Sequence, residues 1–156
     1  MSRRPLTPGE IEMARAMFGG QVDYSDVEIV RKKWIFFQPV GVVMAPTGNI
    51  HFHPESDRYS DDFSKERLHL QGLFIHEMTH VWQTQRGGRW YLPLIRHPFC
   101  RYGYELREGR PFLRYGVEQQ AEIVRHRFLA DRGAKPKIIP PRALLPFGSV
   151  DPGQPV

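Results

Sequence analysis

The segment His76-Glu77-Met78-Thr79-His80 places two histidines four positions apart, with a glutamate directly after the first. Positions four apart lie one turn above each other on the same face of an α-helix. A helix through this segment therefore lets both imidazoles bind one metal ion, with metal–nitrogen distances of about 2 Å. Glu77 lies one step round the helix, where its carboxylate can reach a metal-bound water without binding the metal. The spacing predicts a helix here that carries a catalytic zinc site.

The residues around this motif favour one long helix from Ser64 to Arg86. Asp62 or Ser64 offers a side-chain oxygen for the N-cap, and Gly87-Gly88 ends the helix at the other side. Apolar residues recur at helical spacing and predict a buried stripe, formed by Leu70, Leu73, Phe74, Val81 and Trp82.

A second predicted helix, Gly116 to Arg132, carries Glu118 and Glu122 four positions apart. Because both carboxylates lie on one face, one can bind the metal while the other orients a ligating imidazole. Ala121 is small enough to let two helices approach closely, and Gly72 on the first helix leaves room near a metal. The same pair of acids would also suit a solvated helix surface, so the residues alone leave both interpretations open.

Taken together, His76-Glu77-x-x-His80 and Glu118-x-x-Ala121-Glu122 resemble the gluzincin branch of the zincin metallopeptidases, whose pattern is H-E-x-x-H followed by E-x-x-A-[DE]. The resemblance implies that zinc is bound by His76, His80 and Glu118. It also implies that Glu77 is the general base and that Glu122 supports a metal ligand without binding the metal. At this last position the family more often has aspartate, which is one methylene shorter.

The chain is similar, more narrowly, to the short bacterial Vgr-related proteins. The shared segments are a T-P-G-E-I-x-x-A-R-x-x-F-G run, here Thr7 to Gly19, and an H-E-M-T-H-V-W-Q helix, here His76 to Gln83. The similarity runs over most of residues 5–132. It implies an association with contractile injection or type VI secretion systems, and it does not define a reaction.

Residues before the metal motif are organised like a small α+β unit. Thr7-Pro8-Gly9-Glu10 is a capping box with proline at the first helical position, and it predicts a short helix that ends at Gly19-Gly20. A turn signal at Pro46-Thr47-Gly48 predicts a hairpin between the last two strand candidates. The four strand candidates are Val27 to Arg31, Trp34 to Gln38, Gly41 to Ala45 and Asn49 to His53.

From these elements we expect a single small α+β zincin-like domain over residues 1–134. It would contain the active-site HExxH helix, the second ligand-bearing helix and a small antiparallel sheet. The strand at Asn49 to His53 could hold an extended peptide by strand addition if it lies at the sheet edge. Residues 135–156 are rich in proline and are expected to form an extended or disordered C-terminal tail.

The composition limits the location and the class of partner. No apolar stretch approaches the roughly 20 residues of a membrane span, and Met1-Ser2-Arg3-Arg4-Pro5 lacks the apolar region of a Sec signal peptide. We therefore expect synthesis in the cytoplasm, with export by a signal-peptide-independent secretion system left open. The single cysteine, Cys100, excludes an internal disulfide and is expected to be an inert buried thiol. No motif supports nucleic-acid binding.

The net charge of +5 arises from arginine, with 17 Arg against 5 Lys. Arginine favours bidentate contacts with carboxylates and phosphates, so an anionic substrate or partner surface is one interpretation. A solvated basic surface is the other. Seven arginines lie between the two metal motifs: Arg86, Arg89, Arg96, Arg101, Arg107, Arg110 and Arg114.

Three tyrosines, Tyr102, Tyr104 and Tyr115, lie in the segment that connects the two metal-binding helices. Zincins commonly place a tyrosine, histidine or arginine there to stabilise the oxyanion, a contribution of about 100-fold or more to the rate. Tyr104 and Tyr115 are our predicted catalytic donors, with packing as the alternative for each.

Other histidines lie near the motif in sequence. His51 and His53 alternate on a predicted strand, and they could bind metal or be satisfied by local hydrogen bonds. His69 lies seven residues before His76, and we expect it to be an ordinary surface histidine.

The motifs and the resemblance together predict a zinc-dependent metallopeptidase-like hydrolase. A metal-bound water would attack a peptide or amide bond of a peptide or protein substrate, with cell-wall peptide as one variant, and Glu77 would act as general base. The alternative is a non-catalytic, zinc-binding zincin-fold module that acts in partner recognition within a type VI or contractile injection apparatus. Three protein ligands favour catalysis, because a structural zinc usually has four.

Overall fold

A computed structural model describes residues 2–88, 91–92 and 101–148 of the chain. Within these residues no helix is both long enough and apolar enough to cross a membrane. The helices and strands of this part confirm the predicted α+β class. In chain order they are β1 (Ser2–Pro5), α1 (Pro8–Phe18), β2 (Glu28–Arg31), β3 (Ile50–His51), α2 (Leu68–Gly87) and α3 (Val117–Asp131).

Helix α1 begins with the predicted capping box. The Thr7 hydroxyl accepts from the Glu10 amide, and the Glu10 carboxylate accepts from the Thr7 amide at 2.9 Å. Glu10 is fully buried, and its other carboxylate oxygen accepts from the Phe63 amide and from Arg4 on β1. A residue expected only to start a helix therefore also ties α1 to β1 and to the turn before α2.

The sheet has the order β1-β2-β3 and is mixed, which corrects the predicted antiparallel sheet. Strand β1 pairs antiparallel with β2, whereas β2 pairs parallel with β3 through Ile29 and Ile50. Strand β1 lies in the charged N-terminal arm and has no apolar alternation, so no strand was predicted there. Its arginines instead form ion pairs, Arg3 with Glu28 and Arg4 with Glu10.

Two of the predicted strands, Trp34 to Gln38 and Gly41 to Ala45, are wrong. The side chain of Gln38 takes the hydrogen bonds that a strand would use, because its amide oxygen accepts from the Trp34 amide and its nitrogen donates to Val42 O. The backbone consequently turns twice between residues 35 and 42. The predicted hairpin is reduced to one bridged pair, Met44 with His51.

Helix α2 begins at Leu68 and not at Ser64, so the predicted N-cap is wrong. The Asp62 carboxylate accepts from the amide and hydroxyl of Ser64 and caps a short 3-10 helix, Phe63–Lys65, one turn earlier. The backbone is then extended at Glu66, which separates this turn from α2. The predicted end of α2 at the glycine pair is confirmed.

Close approach of α2 and α3 depends on small residues at their contact. A Cβ at Gly72 would lie 3.1 Å from Leu129 Cδ2 and 3.3 Å from Arg125 Nε. Gly72 therefore makes room for α3, which corrects the prediction that it leaves room near a metal. Ala121 on α3 is fully buried, as are Ile75 and Met78 on α2. The contact fixes α3 beside the face of α2 that carries the histidines.

Proline-rich residues after α3 pack against the core. Leu145 and Phe147 are buried, and the Phe147 ring lies 4.9 Å from the ring of Phe18 and 5.0 Å from that of Trp82. Residues 149–156, for which disorder was predicted, lie outside the described residues.

We expect Phe147→Ala to lower the free energy of unfolding by about 3 kcal/mol, because it removes a buried ring between α1 and α2. Denaturant unfolding followed by circular dichroism measures this value. Ile139→Ala, in the same segment but exposed, is the matched control and should change stability by less than about 0.5 kcal/mol. Equal effects of the two substitutions would contradict the packing described for Phe147.

Candidate metal centre

His76 and His80 on α2 meet Glu118 on α3 at one point. The Nε2 atom of each histidine lies 3.2 Å from Glu118 Oε2, and all three side chains are buried. The three potential ligand atoms lie within 4.8 Å of one another. Two zinc bonds of about 2.1 Å at the tetrahedral angle place their ligand atoms about 3.4 Å apart, so this spacing fits a shared zinc ion.

The charge around His76 favours a cation at this point. Burial alone lowers the pKa of His76, but the nearby carboxylates of Glu118, Glu122 and Glu77 outweigh it and raise the pKa to about 9. His76 therefore holds a proton at neutral pH when no other cation is present. Because the carboxylates stabilise positive charge, a divalent cation can take the place of that proton.

The tautomer of His80 is set by a chain of two glutamines. Gln83 Nε2 donates to the backbone carbonyl of Val117 at 3.0 Å, so its Oε1 must face His80 Nδ1, 2.8 Å away. A backbone carbonyl can only accept, which fixes the orientation of the Gln83 amide. Nδ1 of His80 is therefore a donor, and in the neutral ring the lone pair of Nε2 points to Glu118, as metal binding requires.

Gln120 on α3 supports this orientation. Its Nε2 donates to the carbonyl of Tyr115 at 2.8 Å, and its Oε1 accepts from Gln83 Nε2 at 2.9 Å. Both amides are buried, and each is oriented by a main-chain carbonyl. Two neutral side chains thus hold His80 ready to bind a cation without adding charge to the site.

Glu122 contacts His76 on its other side. Its carboxylate lies 3.4 Å from His76 Nδ1, 3.5 Å from His126 Nε2 and 3.6 Å from Arg125 Nη1. Burial raises the pKa of Glu122, but the hydrogen bond and charge of His76 and the neighbouring cations lower it more, so the group is ionised. Glu122 can therefore hold the His76 ring in place, which is the role that the family resemblance implied.

A cavity of about 190 Å³ opens beside His76 and Glu77. Glu77 is buried and lines it, and so does Tyr102, whose ring stacks nearly parallel to that of His76 at 6.1 Å. The rest of the lining combines charged and apolar groups: Glu122, Arg58, Arg125, Leu73, Val42, Val43 and Gly41. The cavity suits one residue of a substrate, since pockets for whole small molecules are usually larger.

The structure does not bring Tyr104 or Tyr115 to this cavity. The Tyr104 hydroxyl lies 2.6 Å from His126 Nδ1, and the Tyr115 hydroxyl accepts from the Arg107 amide at 3.1 Å. Burial raises the pKa of Tyr104. Their predicted role as oxyanion donors therefore has no geometric support here, whereas Tyr102, which was not selected from the sequence, lines the cavity. Sequence spacing carried no signal that separates the three tyrosines.

The remaining sequence candidates lie away from the centre. His51 Nδ1 contacts the carbonyl of Lys32, His53 Nδ1 accepts from the Glu55 amide, and His69 is exposed. A second cavity, of about 670 Å³, is lined in part by three arginines of the connecting segment. They are Arg101, Arg107 and Arg110. Cys100, Arg89 and Arg96 lie outside the described residues.

The fold and this site can be compared with known proteins. The effector domain of Pseudomonas aeruginosa VgrG2b, a solved structure, superposes with a TM-score of 0.73 and 41% sequence identity, covering 83% of this chain and 75% of that chain. The chain belongs to the family of the VgrG2b effector domain. The type VI secretion system spike protein VgrG2b of P. aeruginosa is 42% identical over 133 residues. The match covers 81% of this chain and 13% of that protein's length.

No family model matches the chain. The similarity to VgrG2b confirms the predicted link to Vgr-related proteins of secretion systems. The similarity to the solved structure concerns the effector domain, and the chain matches only 13% of the length of the spike protein.

In this VgrG2b-family domain we expect Gln83→Leu to weaken zinc binding about 10- to 100-fold, because His80 loses the acceptor that sets its tautomer. Competition with a chromophoric zinc chelator measures the affinity. Gln71→Leu is the matched control: Gln71 is buried on the same helix, but its amide donates to the carbonyls of Ser64 and Glu66. An equal loss in both variants would contradict the role of Gln83.

Proposed function

We propose that this domain is a zinc-dependent, metallopeptidase-like hydrolase that cleaves a peptide or amide bond. The observation that carries the proposal is the convergence of His76, His80 and Glu118 beside a cavity lined by Glu77. The resemblance of both motifs to the gluzincin pattern supports the same assignment. A purely structural zinc site would have no need for a carboxylate in the position of Glu77.

The donor set suits zinc, and His76, His80 and Glu118 would hold the ion. When bound, zinc supplies a Lewis acid that polarises the substrate carbonyl and lowers the pKa of water toward about 7. Glu77 would accept the proton of the attacking water and later deliver it to the leaving amine. Glu77 is buried and lines the cavity, which places its carboxylate where such transfers would occur.

Neighbouring residues would prepare the site for this reaction. Glu122 would hold the His76 ring through Nδ1, and Gln83 would hold His80. Tyr102 and Arg125 line the cavity and are better placed to contact a substrate carbonyl than Tyr104 or Tyr115. Apolar residues of the same lining would exclude water from the substrate side chain.

VgrG2b is described as a type VI secretion system spike protein, and its related domain as an effector domain. We extend this role to the present chain, as an effector that is made in the cytoplasm and delivered by a secretion system. Its substrate would be a peptide or protein, with cell-wall peptide as one variant.

We expect protein purified without added metal to contain about one zinc per chain, and His80→Ala and Glu118→Ala to lose it, because each removes one of three ligands. Plasma mass spectrometry measures the content. His69→Ala, an exposed histidine of the same helix, is the control and should retain the metal. Wild-type protein that folds and binds no zinc would overturn the proposal.

We also expect Glu77→Gln to keep both metal and fold while lowering turnover of a peptide or cell-wall substrate by about 100-fold or more, because the amide cannot accept the proton. Zinc content and circular dichroism check the first part, and product formation checks the second. Glu108→Gln, an exposed glutamate, serves as the control. Zinc-loaded wild type that cleaves no member of a broad peptide library would favour the non-catalytic partner-recognition module instead.

A further inference from the structure

The loop formed by residues 34–42, here called the aromatic loop, exposes an unusual amount of apolar surface. Phe36 is 84% exposed and Phe37 is 61% exposed, and their rings contact each other edge to face at 5.0 Å. Of the ten exposed large hydrophobic residues in the described part of the chain, five lie in this loop. These are Trp34, Phe36, Phe37, Val40 and Val42. A contiguous patch of this kind marks an interaction site more often than chance exposure.

The exposure is built into the fold. Gln38, only 3% exposed, accepts from the Trp34 amide and donates to the carbonyls of Val42 and His51 at 2.8 and 3.1 Å. These bonds tie both ends of the loop to each other and to β3. The hydrogen bonds of buried Gln38 therefore fix the turn that carries the aromatic side chains, and these side chains stay exposed.

Positive charge lies at the N-terminal side of the aromatic loop. Arg31, Lys32 and Lys33 precede it directly and are exposed, and Lys33 Nζ donates to the carbonyl of Phe36 at 3.1 Å. No aspartate or glutamate occurs in the sequence between Glu28 and Glu55. Exposed aromatic side chains next to basic residues, without acidic residues nearby in the sequence, complement a surface that has negative headgroups over an apolar layer.

We propose that the aromatic loop docks into an anionic lipid surface. Phe36 and Phe37 would enter the boundary between headgroups and acyl chains, and the basic residues would contact lipid phosphates. Trp34 is suited to the same interfacial region, because its ring is apolar and its N–H is polar. This docking is independent of the proposed hydrolase reaction.

The C-terminal end of the aromatic loop lies beside the metal centre, so docking of the loop would also position that centre. Gly41 and Val42 belong to the loop and line the cavity beside Glu77, as does the next residue, Val43. A loop inserted in a lipid surface would therefore hold this cavity close to the membrane. Substrates that lie at the membrane surface would be favoured over those in free solution.

The test is co-sedimentation of the purified chain with vesicles. Vesicles of phosphatidylethanolamine with phosphatidylglycerol provide the anionic surface, and vesicles of phosphatidylcholine alone provide the neutral one. We expect binding to the anionic vesicles that weakens as salt is added, and at least a 10-fold weaker interaction with the neutral ones.

Three double variants separate the contributions. Phe36→Ser with Phe37→Ser should lower binding at least 10-fold, and Lys32→Glu with Lys33→Glu should remove the preference for anionic vesicles. Leu113→Ser with Ile139→Ser is the matched control, since both residues are exposed apolar side chains outside the loop. This control should bind as the wild type does, and circular dichroism verifies that each variant is folded.

Two outcomes would overturn the proposal. One is wild-type protein that stays in solution with both kinds of vesicle. The other is self-association in sedimentation velocity that the Phe36→Ser/Phe37→Ser variant abolishes, with no vesicle binding. That result would assign the aromatic loop to a contact between two copies of this chain.

Discussion

The contact between helices α2 and α3 is organised around one buried carboxylate, that of Glu118. Glu118 approaches α2 at the two histidines, and this is feasible because Gly72 and Ala121 let the helices come close. An ionised carboxylate in such a place is costly unless positive charge accompanies it. The protonated imidazole of His76 supplies that charge when no metal is present, and a metal ion could replace its proton. The packing of the two helices, the orientation of the histidines and the need for positive charge therefore all depend on the buried carboxylate of Glu118.

The grouping of the three candidate ligands was predicted from the sequence and the family resemblance, and the fold around them only in part. Helix periodicity predicted that His76 and His80 share one face, whereas Glu118 was assigned as the third ligand by the family resemblance, and the three residues do meet. The aromatic loop was read as strand, since its apolar residues have strand propensity and the hydrogen bonds of Gln38 leave no local pattern. Strand β1 was missed because it has no apolar alternation and pairs with β2, which is remote in sequence; its arginines form ion pairs with Glu28 and Glu10.

Residues that support the site were harder to predict than the ligands. Gln83 stands three positions after His80, a helical spacing that allows contact, but only the position of Val117 shows which way its amide points. Tyr102 and Tyr104 are two apart in an irregular segment, and nothing local determines that one faces the cavity and the other His126. Such assignments depend on tertiary placement, which short motifs do not encode.

The bond from Gln83 to the Val117 carbonyl has a further consequence. Val117 is the first residue of α3 and precedes Glu118, so the amide that orients His80 also anchors the start of the helix that delivers the carboxylate. A cation held by both helices would then act as a clamp across their contact. Occupancy and global stability would rise together, as for any ligand that binds only the folded chain. The stability of the folded chain would then depend on how much of that cation is available where the chain folds.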